Sequence, residues 1–430
     1  AKTLTATAST ANKTYDATNT ATATLTLSGL VGSETLSTTN TSTFNNKNVG
    51  TGKTVTVNSI TLADGTNGGL AANYSISPGQ TTTADITAKS LTVSGITASN
   101  KTYDATTTAV LNTGSVTYTG LVSGDVFNGT YTGAFSDKNV GTGKTVTITP
   151  SYTGADVSNY SVTDHSTVTA NITAKALTVS GITASDKTYD GNAVATLNTG
   201  SVLYSGLING DTFSGTYTGA FNNANAGTSK TVTITPSYTG ADVSNYSVTD
   251  HSTITADIAV KALTATASAS NKTYDGTTTA TTTLTFSGLV GSETLGQTVG
   301  STFNNKNVGT GKTVTVNSIT LADGTGLAAN YSISPGQTTT ADITAKSLTV
   351  SGITASNKTY DATTTATLNT GSVTYTGLVS GDDFNGTYTG AFSDKNVGTG
   401  KTVTITPSYA GADVSNYSVT DHSTITADIT

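Results

Sequence analysis

Apolar and polar residues alternate with a period of two along most of this chain. Between Ala21 and Leu27, apolar Ala21, Ala23, Leu25 and Leu27 alternate with Thr22, Thr24 and Thr26. Successive side chains on a strand point to opposite faces, so this pattern turns one face to a core and the other to water. Lys53–Val57 alternates through Val55 and Val57, and "NYSIS", "TTTADITA" and "KSLTVSG" follow the same habit. Turn-forming residues separate these runs at Ser28-Gly29, Ala63-Asp64-Gly65 and Pro78-Gly79. Six or seven short strands in roughly 86 residues, with no helical period, predict a small antiparallel β-sandwich of the immunoglobulin-like kind. The alternative is a β-grasp-like repeat, which requires a helix at "GLVGSETL" or "GLVSGDVF".

The pattern recurs five times. The tetrapeptide "KTYD" stands at Lys13–Asp16, Lys101–Asp104, Lys187–Asp190, Lys272–Asp275 and Lys358–Asp361. Its tyrosines set a period that suits a small domain and is too long for a solenoid coil. We divide the chain into repeats 1–87, 88–173, 174–259, 260–344 and 345–430. Repeats 1 and 4 (type A) share "LAANYSISPGQTTTADIT", and repeats 2, 3 and 5 (type B) share "LNTGSV" and "GTYTGAF". The order is A-B-B-A-B. At each border the apolar phase shifts by one residue: Ile86 and Ala88 are even, Leu91 and Val93 odd, with the shift at Lys89-Ser90. A one-residue shift exchanges the buried face. The last strand of one repeat is therefore expected to pass directly into the first strand of the next, without a Gly/Ser-rich linker. An extended, stiff, monomeric rod follows as an expectation, about 150–220 Å long from strands rising ~3.3 Å per residue.

Composition narrows the function. Charged residues make up 10%, arginine is absent, and the formal net charge is −7. Nucleic acid is an unsuitable partner, because its recognition needs a basic footprint. Cysteine and methionine are absent, which excludes disulfides and thiolate metal sites and suits an exported chain. The missing initial Met gives the expectation that this is a piece of a longer protein. No apolar run reaches the ~18 residues of a membrane helix, so no membrane insertion is expected of this segment.

Motifs that could carry chemistry fail on spacing. "NVGTGKT", Asn48–Thr54, has Lys47 where a P-loop needs its first glycine, and it leads into a strand. His165, His251 and His422 lie in "TDHST", where neighbouring side chains on a strand diverge and cannot form a triad. Asp64, Asp156, Asp242, Asp323 and Asp413 sit at turn positions; structural calcium between repeats is the one cofactor such residues leave open. An isopeptide crosslink would draw on Lys13 or Lys53 with Asn73 or Asp85. The type B aromatics Tyr118, Phe127, Tyr131, Phe135, Tyr152 and Tyr160 are expected in the core, because a domain this small needs aromatic burial. No catalytic, cofactor or metal residue emerges, and no enzyme is expected.

The segments "NKTYD" followed by Gly or Ala, "SGLV", "KNVGTGKTVT", "NYS" and "TTTADIT" resemble the YDG repeats of large filamentous-haemagglutinin-like surface adhesins of Gram-negative bacteria. The resemblance implies a structural stalk of a secreted adhesin, extracellular and at the bacterial cell surface, projecting a binding region for adhesion or biofilm formation. Partners would be host, surface or matrix glycans or proteins, bound through regions outside this segment. The alternative is a multivalent weak binding module for glycans or surface proteins, working through the type B repeats. Tyr15, Asp16, Tyr103, Asp104, Tyr189, Asp190, Tyr274, Asp275, Tyr360 and Asp361 are then a structural repeat motif. Each Tyr is expected at a strand edge and each Asp in a turn. Ala17, Ala105 and Ala362 follow the motif where Gly191 and Gly276 stand in the other copies, so a negative φ is expected there.

Overall fold

The computed structural model describes all 430 residues, and apart from single 3₁₀ turns its regular structure is entirely β. The chain forms two compact units: Ala1–Gly181 with Val202–Thr216 and Pro236–His251, and Ile182–Ser201 with Tyr217–Thr235 and Ser252–Thr430. The border between them lies inside repeat 3.

Repeat 2, in the first unit, shows the common plan. Its five-stranded sheet runs in the order Lys101–Thr102, Thr167–Thr173, Gly141–Thr153, Asn128–Phe135, Thr108–Ala109. A three-stranded sheet has Lys89–Ser94 between Thr117–Thr119 and Tyr160–Asp164. Thr97–Ala98 and Leu111–Asn112 form a third, two-stranded piece. The alternation anticipated from sequence is obeyed: along Gly141–Thr153, Val146 and Ile148 are buried while Thr145, Thr147 and Thr149 face outward. The regular structure breaks into more and shorter pieces than expected, several only two residues long.

Two pairings in the repeat are parallel. Lys89–Val93 lies parallel to Tyr160–Asp164, and Lys101–Thr102 parallel to Ile172–Thr173. The β-grasp alternative lacks its helix, since the only helical elements are 3₁₀ turns such as Val157–Asn159.

At the borders one residue separates the strands: Thr81–Thr87 is followed by Lys89–Ser94 across Ala88. The phase shift serves a specific end. Ile86 and Leu91, on either side of it, enter the same core. That core joins Tyr15, Phe44, Val55, Ala84 and Ile86 of repeat 1 to Leu91, Phe127 and Tyr160 of repeat 2. Equivalent shared cores join repeats 2 and 3, 3 and 4, and 4 and 5. A smaller private cluster lies within a repeat, as at Val93, Ile96 and Ile148. The repeats therefore do not close wholly separate cores. Half-buried sheets complete themselves against the neighbour, because one repeat has too little apolar surface to close both of its ends.

Candidate functional site

The KTYD segment is where one repeat enters the next. Lys13 and Thr14 pair with Ile86 and Thr87 at the edge of the large sheet, which points the following Tyr15 out of the end of the repeat. The Lys13 ammonium turns back. It donates to Asp16 Oδ1 (2.8 Å), the Thr18 carbonyl (2.8 Å) and the Thr20 carbonyl (2.9 Å), and lies 5.7 Å from the Phe44 ring centroid. Asp16 Oδ1 also accepts from the Thr18 N–H at 2.9 Å. This side chain closes its own turn, as aspartate commonly does. Its carboxyl is held below the usual range: burial opposes this, but the Lys13 and Thr18 hydrogen bonds outweigh it. The same lysine–aspartate contact recurs at Lys101–Asp104, Lys187–Asp190, Lys272–Asp275 and Lys358–Asp361.

The clamp holds the next residue in a left-handed conformation. Ala17, Ala105 and Ala362 have φ of 63°, 62° and 66°, beside 80° at Gly191 and 79° at Gly276. The expected negative φ is thus corrected. Alanine bears a cost on the order of 1 kcal/mol here, offset by the lysine and aspartate bonds around it. A Cβ built on Gly191 would approach Val290 Cγ1 of repeat 4 to 2.8 Å, and one on Gly276 would approach Val379 Cγ1 of repeat 5 equally closely.

Tyr15 is 1% exposed, buried between repeats rather than lying at a strand edge. Its ring meets Tyr160 of repeat 2 edge-on at 5.6 Å, a favourable arrangement for two quadrupoles. Its hydroxyl donates to Asp125 Oδ1 at 3.1 Å, and Tyr160 donates to Asp125 Oδ2 at 2.5 Å. Lys47 of repeat 1 reaches Asp156 Oδ1 at 3.0 Å and Asp125 Oδ1 at 3.5 Å. The Val126 N–H and Lys47 hold the Asp156 carboxyl below its ordinary range. Burial, then Asp125, pushes the Tyr160 phenol up to about 12. Finally, the Val49 N–H donates to Asn159 Oδ1 at 2.9 Å, tying repeat 1 backbone to the 3₁₀ turn of repeat 2.

The arrangement is copied in three further joints. Tyr103 meets Asp211 at 2.9 Å, Tyr274 meets Asp382 at 2.8 Å, and Tyr189 meets Glu293 at 2.7 Å. The backbone tie recurs as Val140 to Asn245, Ala226 to Asn330 and Val308 to Asn416. The fifth tyrosine, Tyr360, has no such neighbour and is 48% exposed.

Other candidates are placed elsewhere. Gly52 has φ 57°, and its N–H donates to Asp85 Oδ1 at 2.7 Å beside a bulge between Gly50 and Lys53; the P-loop-like stretch is this bulge. His165, His251 and His422 are exposed, while the preceding Asp164 and Asp421 accept from Tyr152 and Tyr409 at 2.7 Å. Lys53 donates to Asn46 at 2.6 Å and Lys13 is held by its clamp; neither is hydrogen-bonded to Asn73 or Asp85. No group of three or more His, Asp or Glu is arranged to hold a metal ion. Asp156, Asp242 and Asp413 instead receive lysines and backbone N–H groups; Asp64 and Asp323 accept the N–H of Ala71 and Ala328. The type B aromatics pack together, with Phe127 touching Tyr118, Tyr152 and Tyr160 at 5.1–5.9 Å.

Sequence reasoning missed Lys47, Asp125, Asp156 and Asn159 as partners of the motif. A signal for them exists: lysine stands at 47, 138 and 306 ahead of repeats carrying two aspartates, and Ala224 replaces it ahead of the repeat carrying Glu293. Among known families, the YDG domain matches residues 1–84, 87–169, 173–256, 259–341 and 344–426. No curated protein shows significant similarity to the chain. With five successive matches covering nearly its whole length, and a clamped KTYD turn in every one, the chain belongs to the YDG domain family.

Proposed function

We propose that this chain is a structural spacer, a stalk segment of a secreted bacterial surface adhesin that holds a binding region away from the cell. The observation that carries this reading is the burial of Tyr15, Tyr103, Tyr189 and Tyr274 in the following repeat, at four successive joints. A one-residue connection, a shared apolar core and a bonded tyrosine together oppose independent motion of neighbours. The motif's polar groups are spent on one another, which leaves a structural rather than a catalytic role. In the type B repeats, Phe127 and Tyr160 are buried and Tyr118, Tyr131 and Tyr152 partly buried, which favours the spacer reading over the multivalent binding alternative. Small-angle scattering of the chain tests the proposal. An elongated particle of narrow cross-section is expected, and a compact particle or a flexible coil would overturn it.

A further inference from the structure

Type A and type B repeats differ at their first strand. In type B it is flanked on both sides: Lys89–Ser94 lies between Thr117–Thr119 and Tyr160–Asp164, with Val93 opposite Asp164. In type A, Thr5–Thr10 pairs only with Ala23–Ser28, and Thr264–Ala269 only with Thr282–Ser287. The parallel ladder on the other side stops early. Its last bond runs from the Leu4 N–H to the Ser75 carbonyl, and from Leu263 to Ser332, each at 2.8 Å. The chain then turns at Pro78-Gly79 or Pro335-Gly336 and bonds to Val57 or Val316 instead. Main-chain groups alternate sides along a strand, so the N–H and C=O of Ala6 and Ala265, two residues further on, face the abandoned side. No protein group bonds to them there.

A cleft takes the place of the absent neighbour. In repeat 4 it measures about 460 Å³, between Leu263 and Ala265 on the strand and Pro335 and Gln337 on the turn. In repeat 1 it measures about 380 Å³, between Leu4 and Ala6 and Pro78 and Gln80. Repeat 4 has a repeat on either side, so the cleft belongs to the repeat type. Its wall holds an orphan acceptor. Gln80 and Gln337 donate through Nε2 to the Ser77 and Ser334 carbonyls at 2.8 and 2.9 Å, while each Oε1 is enclosed without a donor, a costly state. Exposed edges are commonly guarded by charge, proline or a bulge. The type A edges read TATAST and TATASA, with a regular register, and have none of these.

We infer that the open strand edge of each type A repeat is a binding site for an extended peptide segment of a partner protein, added parallel to Thr5–Thr10 and to Thr264–Ala269. Two features name this occupant. The edge continues the parallel ladder already formed at Lys2–Thr3 and Lys261–Ala262. Type B repeats, moreover, lay a strand of their own, Tyr160–Asp164, along the same path. Affinity comes from main-chain hydrogen bonds, as in other strand additions, and β-branched side chains suit the position. The site would sit on the spacer itself, once in repeat 1 and once in repeat 4.

The test adds the peptide Tyr-Ser-Val-Thr-Asp, acetylated and amidated, to the full chain and reads amide hydrogen exchange. Exchange at Ala6 and Ala265 should slow about tenfold, while Val93, already flanked on both sides, stays unchanged. The serine of this strand faces the edge, as the bond from Leu4 to Ser75 shows, and so does the threonine two residues on. N-methylation of the peptide's Ser and Thr should therefore abolish the protection, and N-methylation of its Val should leave it. Replacing residues 333–337 by Val-Thr-Asp-His-Ser, the sequence at 419–423, should remove protection at Ala265 and keep it at Ala6. No protection by the peptide, equal effects of the two methylation patterns, or protection at Ala265 after the replacement would overturn the inference. So would concentration-dependent protection of the chain alone, because the occupant would then be a second copy.

Discussion

The joint between repeats 2 and 3 and the face of repeat 5 are built from nearly the same sequence, yet one is closed and the other open. Both have a clamped KTYD turn, a left-handed alanine and a lysine before the Asn-Val-Gly stretch. Tyr103 lies buried against Tyr246 and Asp211, whereas Tyr360 is half in solvent. The local conformation of the motif is therefore set within its own repeat, and burial is added by the neighbour. The turn is a prepared socket, not a product of docking.

The largest contrast should come from the ring itself. Tyr103→Ala is expected to destabilise the chain by about 3–5 kcal/mol, the usual cost of emptying a large aromatic site, whereas Tyr360→Ala should cost under about 0.5 kcal/mol. Urea unfolding of the two variants measures the difference, and equal losses would break the comparison.

Alkali should act next, and on all four joints. Burial and carboxylate contacts push Tyr160, Tyr246 and Tyr417 up to about 12, and burial with Glu293 does the same to Tyr189. A folded value raised above the unfolded ~10 stabilises fully below pH ~10 and is lost as pH rises towards about 12. Exchange at the amides of Val49, Val140, Ala226 and Val308 should accelerate in that window. Val397, already open, should show only the ordinary base dependence of exchange.

Lys138→Ala comes third. It leaves Asp211 and Asp242 facing each other without their cation. Protection at Val140 should fall while that at Ala226, in the joint built without a lysine, stays unchanged. The Asp242 carboxyl is depressed first by the Thr212 N–H and then by Lys138. Its contribution is present above the unfolded ~3.9 and lost as pH falls through the folded value. The penalty of Lys138→Ala should therefore shrink below pH ~4, and a penalty independent of pH would refute the ion-pair account.

The smallest effect separates turn strain from packing. Ala362→Gly should stabilise by up to about 1 kcal/mol, since glycine takes a positive φ freely. Ala17→Gly should gain less, because Ala17 packs against the core shared with repeat 2 and that contact is lost. Thermal unfolding of the two variants would show the ordering.

Much of the fold is readable from one sequence because β alternation is local. Val55, Val57, Val146 and Ile148 announce their burial through two-residue spacing alone. The repeat count and the phase shift at Lys89-Ser90 are equally plain, although the shift marks a core shared across the border rather than two separate ones. The partners of the tyrosine are hidden for the opposite reason. Tyr15 and Asp125 are 110 residues apart, and nothing around either one names the other. The left-handed alanines are hidden because glycine and alanine both occupy the site, which suggests tolerance where the clamp in fact imposes the strain.

The parallel pairings have a mechanical consequence. A tension applied to the chain enters repeat 2 at Lys89 and leaves at Thr173. Lys101–Thr102 lies parallel to Ile172–Thr173, and Lys89–Val93 parallel to Tyr160–Asp164. In a parallel pair pulled from the start of one strand and the end of the other, the hydrogen bonds lie across the force and must give way together. In a hairpin pulled from its open end they break singly, in sequence. In repeat 2 the entering strand and the leaving strand are each held by a parallel partner, and single-molecule extension should show discrete ruptures as those pairings yield instead of gradual unzipping.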